Sequence, residues 1–217
     1  MTSSGGLQQD AGCYDDALAR YQQAMAKFIE IGSRQGQGIA LNNVGDIRRL
    51  RGEHEEALKD YRGALSIFGE IGARGAAVQT LNGMAAAFAG AGDSQAALDQ
   101  YEKALALAAE LGERHTQVVS HLGIGEVWLA MGRHLAAADD YRTALELCRT
   151  VGDRSQEAEA LTGLGDATGH LEDVAAARTY WLRALTIYEE IGKLAMADAV
   201  RGRLKTRVPR QGIGSPT

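Results

Sequence analysis

Five histidines, two cysteines and a large set of carboxylates are the side chains of this chain with the greatest capacity for chemistry. Metal binding on a helix needs two rings on one face, as at i and i+4. His115 and His121 are six positions apart, which is wrong for one face, and His121 falls in the same column as Leu41, Leu81 and Leu161, so it reads as a packing residue. His54 and His134 hold equivalent positions in different repeats, too far apart to share an ion. Cys13 and Cys148 are a single distant pair, too few for a disulfide framework or a thiolate zinc site. Gly123-Ile-Gly125 has part of a phosphate loop but no strand before it and no lysine after it. Those glycines recur as Gly163 and Gly165, which marks them as places where helices approach closely. No serine, threonine or cysteine can be paired with a base and an orienting acid. Glu55 and Glu56, followed by Lys59, read as a solvated helix face. The expectation is a chain with no catalytic centre, no metal and no cofactor.

Composition narrows the partners. A formal net charge of −5 gives no general attraction to nucleic acid. No apolar run reaches the length of a bilayer, and the start, MTSSGGLQQD, has neither the basic region nor the apolar core of a secretory leader. With so few cysteines, a cytoplasmic protein without a membrane role is expected.

The elements that must position any site are set by a period. Gly12, Gly52, Gly92 and Gly132 stand forty residues apart, and so do Gly32, Gly72, Gly112 and Gly152. Such self-similarity indicates a stack of one supersecondary unit. Both prolines, Pro209 and Pro216, lie in the last nine residues, and strand-like alternation is absent, so the chain should be all-α. Between His54 and Ile71 the apolar and small residues Ala57, Leu58, Tyr61, Ala64, Leu65, Phe68 and Ile71 fall at helical spacing, with Gly72 as the C-terminal cap. A second helix should run from about Arg74 to Ala89, with Leu81, Met84, Ala85 and Phe88 inward, so each unit is a pair of antiparallel helices.

Three columns recur in register. Ala17, Ala57, Ala97, Ala137 and Ala177 form one; Tyr21, Tyr61, Tyr101, Tyr141 and Trp181 the next; Ala24, Ala64, Ala104, Ala144 and Ala184 the third. The pattern resembles the tetratricopeptide repeat family, whose second helix carries Ala, an aromatic and Ala at this spacing and whose first helix carries Leu-Gly. Val44-Gly45, Met84-Ala85, Ile124-Gly125 and Leu164-Gly165 stand at the latter place here. The resemblance implies a tetratricopeptide-like α-solenoid, a right-handed superhelix of antiparallel helix pairs. The period exceeds the family's usual one, which suggests an extended second helix, and the family's terminal proline is replaced by pairs such as Ile71-Gly72 and Leu111-Gly112. Units such as ALSIFGEIGARGAAVQTLNGM also look like the long-period C-terminal repeat arrays of actinobacterial antibiotic-regulatory proteins and of signal-transduction ATPases.

The organisation expected is an incomplete first helix or disordered start over 1–11, an array over 12–192 (the second helix of a first unit, then four helix pairs), a capping helix over 193–208 and a disordered tail over 209–217. Leu18, Tyr21, Met25 and Phe28 leave the first helix with a poorly covered edge, as expected of a piece of a longer array or a frayed start; the other reading is that two copies pair through it. Leu194, Met196, Ala197, Val200 and Leu204 form the capping stripe, with Arg201, Arg203, Lys205 and Arg207 suited to a helix C-terminus. Arg34, Arg74, Arg114 and Arg154 form another column, with Glu30, Glu70, Glu110 and Glu190 as partners.

By the family's pattern the first helices line a concave groove, with Asn42, Asp46 and Arg49 in one unit, Gln79 and Asn82 in the next, then Leu122, Glu126 and Leu129, and finally Glu159, Thr162 and Asp166. Asp46, Glu126 and Asp166 make an acidic column, and the asparagines can bond a peptide backbone. The function expected is a non-catalytic protein-interaction scaffold, the docking or sensing module of a bacterial regulatory system. Its partner is a protein or peptide segment carrying Lys or Arg. Replacing both Asp46 and Asp166 by Lys should then abolish binding and leave the fold intact. The alternative is a small-molecule-sensing solenoid, with Leu122, Trp128 and Leu129 as an apolar wall.

Overall fold

The computed structural model describes residues 4–171 and 173–206, with side chains from Tyr14 onward. These residues form ten helices: α1 (Ser4–Glu30), α2 (Arg34–Leu50), α3 (His54–Ile71), α4 (Arg74–Gly90), α5 (Ser94–Leu111), α6 (Arg114–Ala130), α7 (His134–Val151), α8 (Arg154–His170), α9 (Val174–Glu190) and α10 (Leu194–Thr206). Among the described residues there is no strand, and no helix is long and apolar enough to cross a membrane. The chain divides into two compact units, Met1–Gly123 and Ile124–Thr217, with the boundary inside α6.

The helix ends follow from local chemistry. Gly72 holds φ at 69°, a left-handed conformation that costs a residue with a Cβ roughly 1–2 kcal/mol. That bend lets the Ala73 N–H reach back to the Phe68 carbonyl at 2.9 Å. The next helix then opens on a capping side chain where the sequence supplies one. Asp93 accepts from the Ala96 N–H at 3.0 Å and Asp153 from the Gln156 N–H at 2.9 Å.

Packing follows the columns. On the odd-numbered helices Ala57, Ala64, Ala97, Ala104, Ala137, Ala144, Ala177 and Ala184 are sealed from solvent, and Tyr61, Tyr101, Tyr141 and Trp181 are buried between them. The even-numbered helices meet these rings with glycine. A Cβ at Gly45 or Gly83 would stand 2.8 Å from the Tyr61 ring, and one at Gly163 would stand 2.4 Å from Tyr141. The ring therefore fills the space that a side chain would have occupied. Arg34 pairs with Glu70 and Arg74 with Glu110 in the first unit, and Arg154 with Glu190 in the second. Each pair joins the start of an even helix to the end of the odd helix after it, which requires the two to run antiparallel. The partner is the glutamate of the following helix, so Glu30 has no part in the Arg34 pair. These exposed pairs fix register more than they stabilise.

α1 runs as one helix from Ser4 through Gly12 to Glu30. The two helices of a repeat are nearly equal in length, with 17 residues in α2 and 18 in α3. The readings of residues 1–3 and of the 209–217 tail lie outside the described residues.

Candidate functional site

In the unit Ile124–Thr217, α6, α8 and α10 wall a cavity of about 510 Å³ whose floor is Tyr141 and Tyr188. Five residues singled out from the sequence meet here: Glu126, Leu129, Glu159, Thr162 and Asp166. Lys193, Met196 and Arg203 complete the far side. Helical spacing brings Glu159, Thr162 and Asp166 onto one face of α8.

Its electrostatics are negative. The Tyr141 hydroxyl is pushed well above its ordinary range, first by burial and then by the charges of Glu126, Asp166 and Glu159. The Glu159 carboxyl is also raised. Its side chain is open to the cavity, but the surrounding protein replaces much of the water that would stabilise its charge. Asp166 is the anchored acid. One of its oxygens accepts from the Trp181 indole Nε1 at 3.1 Å, and both accept from Arg203 Nε, at 2.8 and 3.0 Å. Lys193 Nζ donates to Ser155 Oγ at 2.6 Å.

The unit Met1–Gly123 places its predicted residues differently. Asp46 accepts from the Tyr61 hydroxyl at 2.7 Å and from Asn42 Nδ2 at 3.2 Å. Gln79 is exposed and Arg49 half-buried. Asn82 is buried, its Oδ1 taking a hydrogen bond from Ser120 Oγ at 2.7 Å, and Leu122 is buried as well. Neither side chain faces open solvent as the spacing suggested. An even helix packs against neighbours on both sides, and this column lies at their edge.

Asp46 and Asp166 thus share a structural duty, each accepting from the buried aromatic of the next helix. Lysine at either place would leave a buried donor without an acceptor, which costs about 1–3 kcal/mol. The double charge reversal therefore perturbs the fold as well as the groove.

Sequence reasoning missed two contacts. The first is Arg203, read as part of a basic helix terminus. Its signal is the glycine column: Gly83, Gly123 and Gly163 give way to Arg203 at the same repeat position. The second joins His134 and His170, whose rings stack with centroids 4.4 Å apart and planes 4° from parallel. In the first unit the equivalent ring, His54, lies over Gly90, where a Cβ would stand 2.4 Å away. Among the described residues no group of three or more His, Cys, Asp or Glu is placed to hold a metal.

The family model for the tetratricopeptide repeat matches residues 36–110 and 116–190. The chain belongs to the tetratricopeptide repeat family. No curated protein matches it. Solved tetratricopeptide-like structures share its fold. BtubC of P. vanneervenii is 16% identical with a TM-score of 0.66, over 97% of each chain. A Rap protein complexed with competence and sporulation factor is 16% identical with a TM-score of 0.72, over 94% of this chain and 62% of that one. A signal transduction ATPase with a tetratricopeptide repeat sensor, from Pyrococcus horikoshii, is 16% identical with a TM-score of 0.70, over 86% of this chain and 30% of that one. The chain thus spans less than two thirds of the Rap protein and under a third of the ATPase.

Proposed function

We propose that this tetratricopeptide repeat chain is a non-catalytic docking or sensing module of a bacterial regulatory system. In this reading it holds a protein or peptide segment carrying Arg or Lys against the carboxylates of α6 and α8. The observation that carries the reading is the cavity itself, where Glu126 and Glu159 are exposed beside the apolar wall of Leu129, Tyr141 and Met196. Opposite charge orients a segment, and burial of its apolar part supplies most of the affinity. The similarity in fold to a Rap protein complexed with a signalling factor and to an ATPase with a repeat sensor fits a regulatory context. A net charge of −5 argues against nucleic acid as the partner.

The test is affinity capture from the native cell, followed by mass spectrometry. Glu126→Gln with Glu159→Gln is expected to lose the partner that the parent retains, while Glu70→Gln on the outer edge keeps it. Equal recovery by the double variant would overturn the reading.

The cavity volume, about 510 Å³, also suits a small molecule, so ligand sensing stands as the second reading. A rise in melting temperature with one metabolite of a panel, abolished by Glu159→Gln, would favour it. The half-buried Tyr21, Met25 and Phe28 of α1 offer a face on which a second copy would pair. A concentration-independent monomer in light scattering removes that dimer.

A further inference from the structure

The even helices carry glycine where they meet the buried aromatic of the helix before. Gly83 meets Tyr61, Gly123 meets Tyr101 and Gly163 meets Tyr141. At the next forty-residue step stands Arg203. Its guanidinium lies in the cavity, with Nε shared between both oxygens of Asp166. The bond is only partly shielded, with the side chains of Arg203 and Asp166 exposed to 38% and 22%.

The element that brings it is weakly held. α10 has 13 residues and buries only Ala197 and Val200, while Leu194 and Met196 stand 63% and 53% exposed. Besides Arg203, side-chain ties from this end include Arg201 to Glu189 and Lys193 to Ser155, both exposed. Exposed ties of this kind contribute little. Asp198 and Lys205 of α10 are exposed as well.

We propose that the cavity selects an arginine side chain, and that Arg203 is a resident arginine which a partner's arginine displaces, making α10 an internal competitor for the site. This rests on the groove reading above. Arginine is favoured over lysine because a planar guanidinium can hold one N–H between the two oxygens and direct another donor elsewhere, as Arg203 does with Nε on Asp166 and Nη1 on the Ala199 carbonyl, whereas an ammonium is a compact point charge. The one lysine at the cavity bonds the rim hydroxyl of Ser155 and leaves Asp166 to the arginine. A competitor of this kind weakens the apparent affinity for a partner by the fraction of time that it vacates the site.

The test is a titration of the full chain with N-acetyl-arginine amide and N-acetyl-lysine amide, read on the Trp181 indole N–H resonance. That proton points at Asp166. Arg203→Met, which keeps the aliphatic stem, should bind the arginine amide about tenfold more tightly than the parent, as a resident vacant for about a tenth of the time would dictate. The lysine amide should bind the same variant several-fold more weakly, and adding Asp166→Asn should abolish binding. Equal affinity in parent and Arg203→Met, equal binding of the two amides, or full binding with Asp166→Asn would each overturn the proposal. A second measurement does not depend on the fold of Arg203→Met. In Asp166→Asn alone, amide exchange in α10 should accelerate, and unchanged exchange would overturn the release of the helix. Loss of gating with partner capture still sensitive to Glu126→Gln and Glu159→Gln would leave the groove reading standing. Capture insensitive to those two would remove the groove reading itself.

Discussion

Gly163 and Gly202 are both helical glycines, yet their surroundings give substitutions of opposite sign. A Cβ at Gly202 meets nothing within 4 Å, whereas one at Gly163 lies 2.4 Å from the Tyr141 ring. Gly202→Ala should raise stability by about 0.5–1 kcal/mol through backbone entropy. Gly163→Ala has the same local gain but overpacks a sealed contact, for a cost of about 1–3 kcal/mol that leaves it less stable than the parent. Urea midpoints moving in the same direction would contradict this. The same sequence spacing identified both Gly163 and the acids, but spacing cannot say what stands opposite. Glu159 and Glu126 were legible as cavity residues because both stand exposed on the helix faces that line it, while Asn82 was not, because Ser120 on the neighbouring helix takes its oxygen. Glu159 also gives a pH prediction. Its folded carboxyl keeps its proton to higher pH than the ordinary value of 4.5, so its ionisation weakens the fold as pH rises from there. Glu159→Gln should therefore melt higher than the parent at neutral pH, with the difference fading below pH 4.5. A larger advantage in acid would refute the sign. Cys148 is buried, and burial first, then the nearby Asp153, Glu157 and Glu159, pushes its thiol up to about 12. Native protein should resist alkylation at Cys148 at neutral pH and react there on unfolding; rapid modification of the folded chain would show the thiol to be reachable.

At the scale of the element, most of the chain was legible. The helix expected over 54–71 is α3, and the one expected from about Arg74 to Ala89 is α4, ending one residue later. These limits are written in glycine caps and periodic apolar residues, both local signals. The start of α1 was not legible, since Gly5, Gly6 and Gly12 lower helix propensity. Caps also show where the repeat is imperfect. Ser33 and Asp153 cap α2 and α8, but at the same repeat position Ala73 makes no side-chain bond to α4. Its backbone, φ −79° and ψ 67°, is close to that of the capping Asp93, φ −87° and ψ 77°. Ala73→Asp should therefore add the missing hydrogen bond without strain and stabilise the protein by about 0.5–2 kcal/mol. An unchanged denaturation midpoint would mean that the helix start is already satisfied in another way.

Within each unit, helices lean chiefly on their neighbours in sequence, so stability should be distributed locally. The contrast is sharpest between equivalent residues. Ala57, Tyr61 and Ala64 of α3 are sealed, with an even helix on either side, whereas Ala17, Tyr21 and Ala24 of α1 are only half-buried. No residue of α1 from Tyr14 to Glu30 reaches full burial. In the other unit α10 buries two residues, against eight in α8. Burial of apolar area is the main stabilising term, at about 25 cal/mol per Å², so α1 and α10 should open at a lower free energy than the helices that they cover. Native-state hydrogen exchange resolves this directly. Within Met1–Gly123, amides of α1 should exchange faster than those of α3, and within Ile124–Thr217 those of α10 faster than those of α8. Each hierarchy should persist at low denaturant, where only local opening contributes. Uniform protection within a unit, with every amide exchanging through global unfolding, would show that the terminal helix is locked to the rest. It would also remove the mobility that displacement of Arg203 requires.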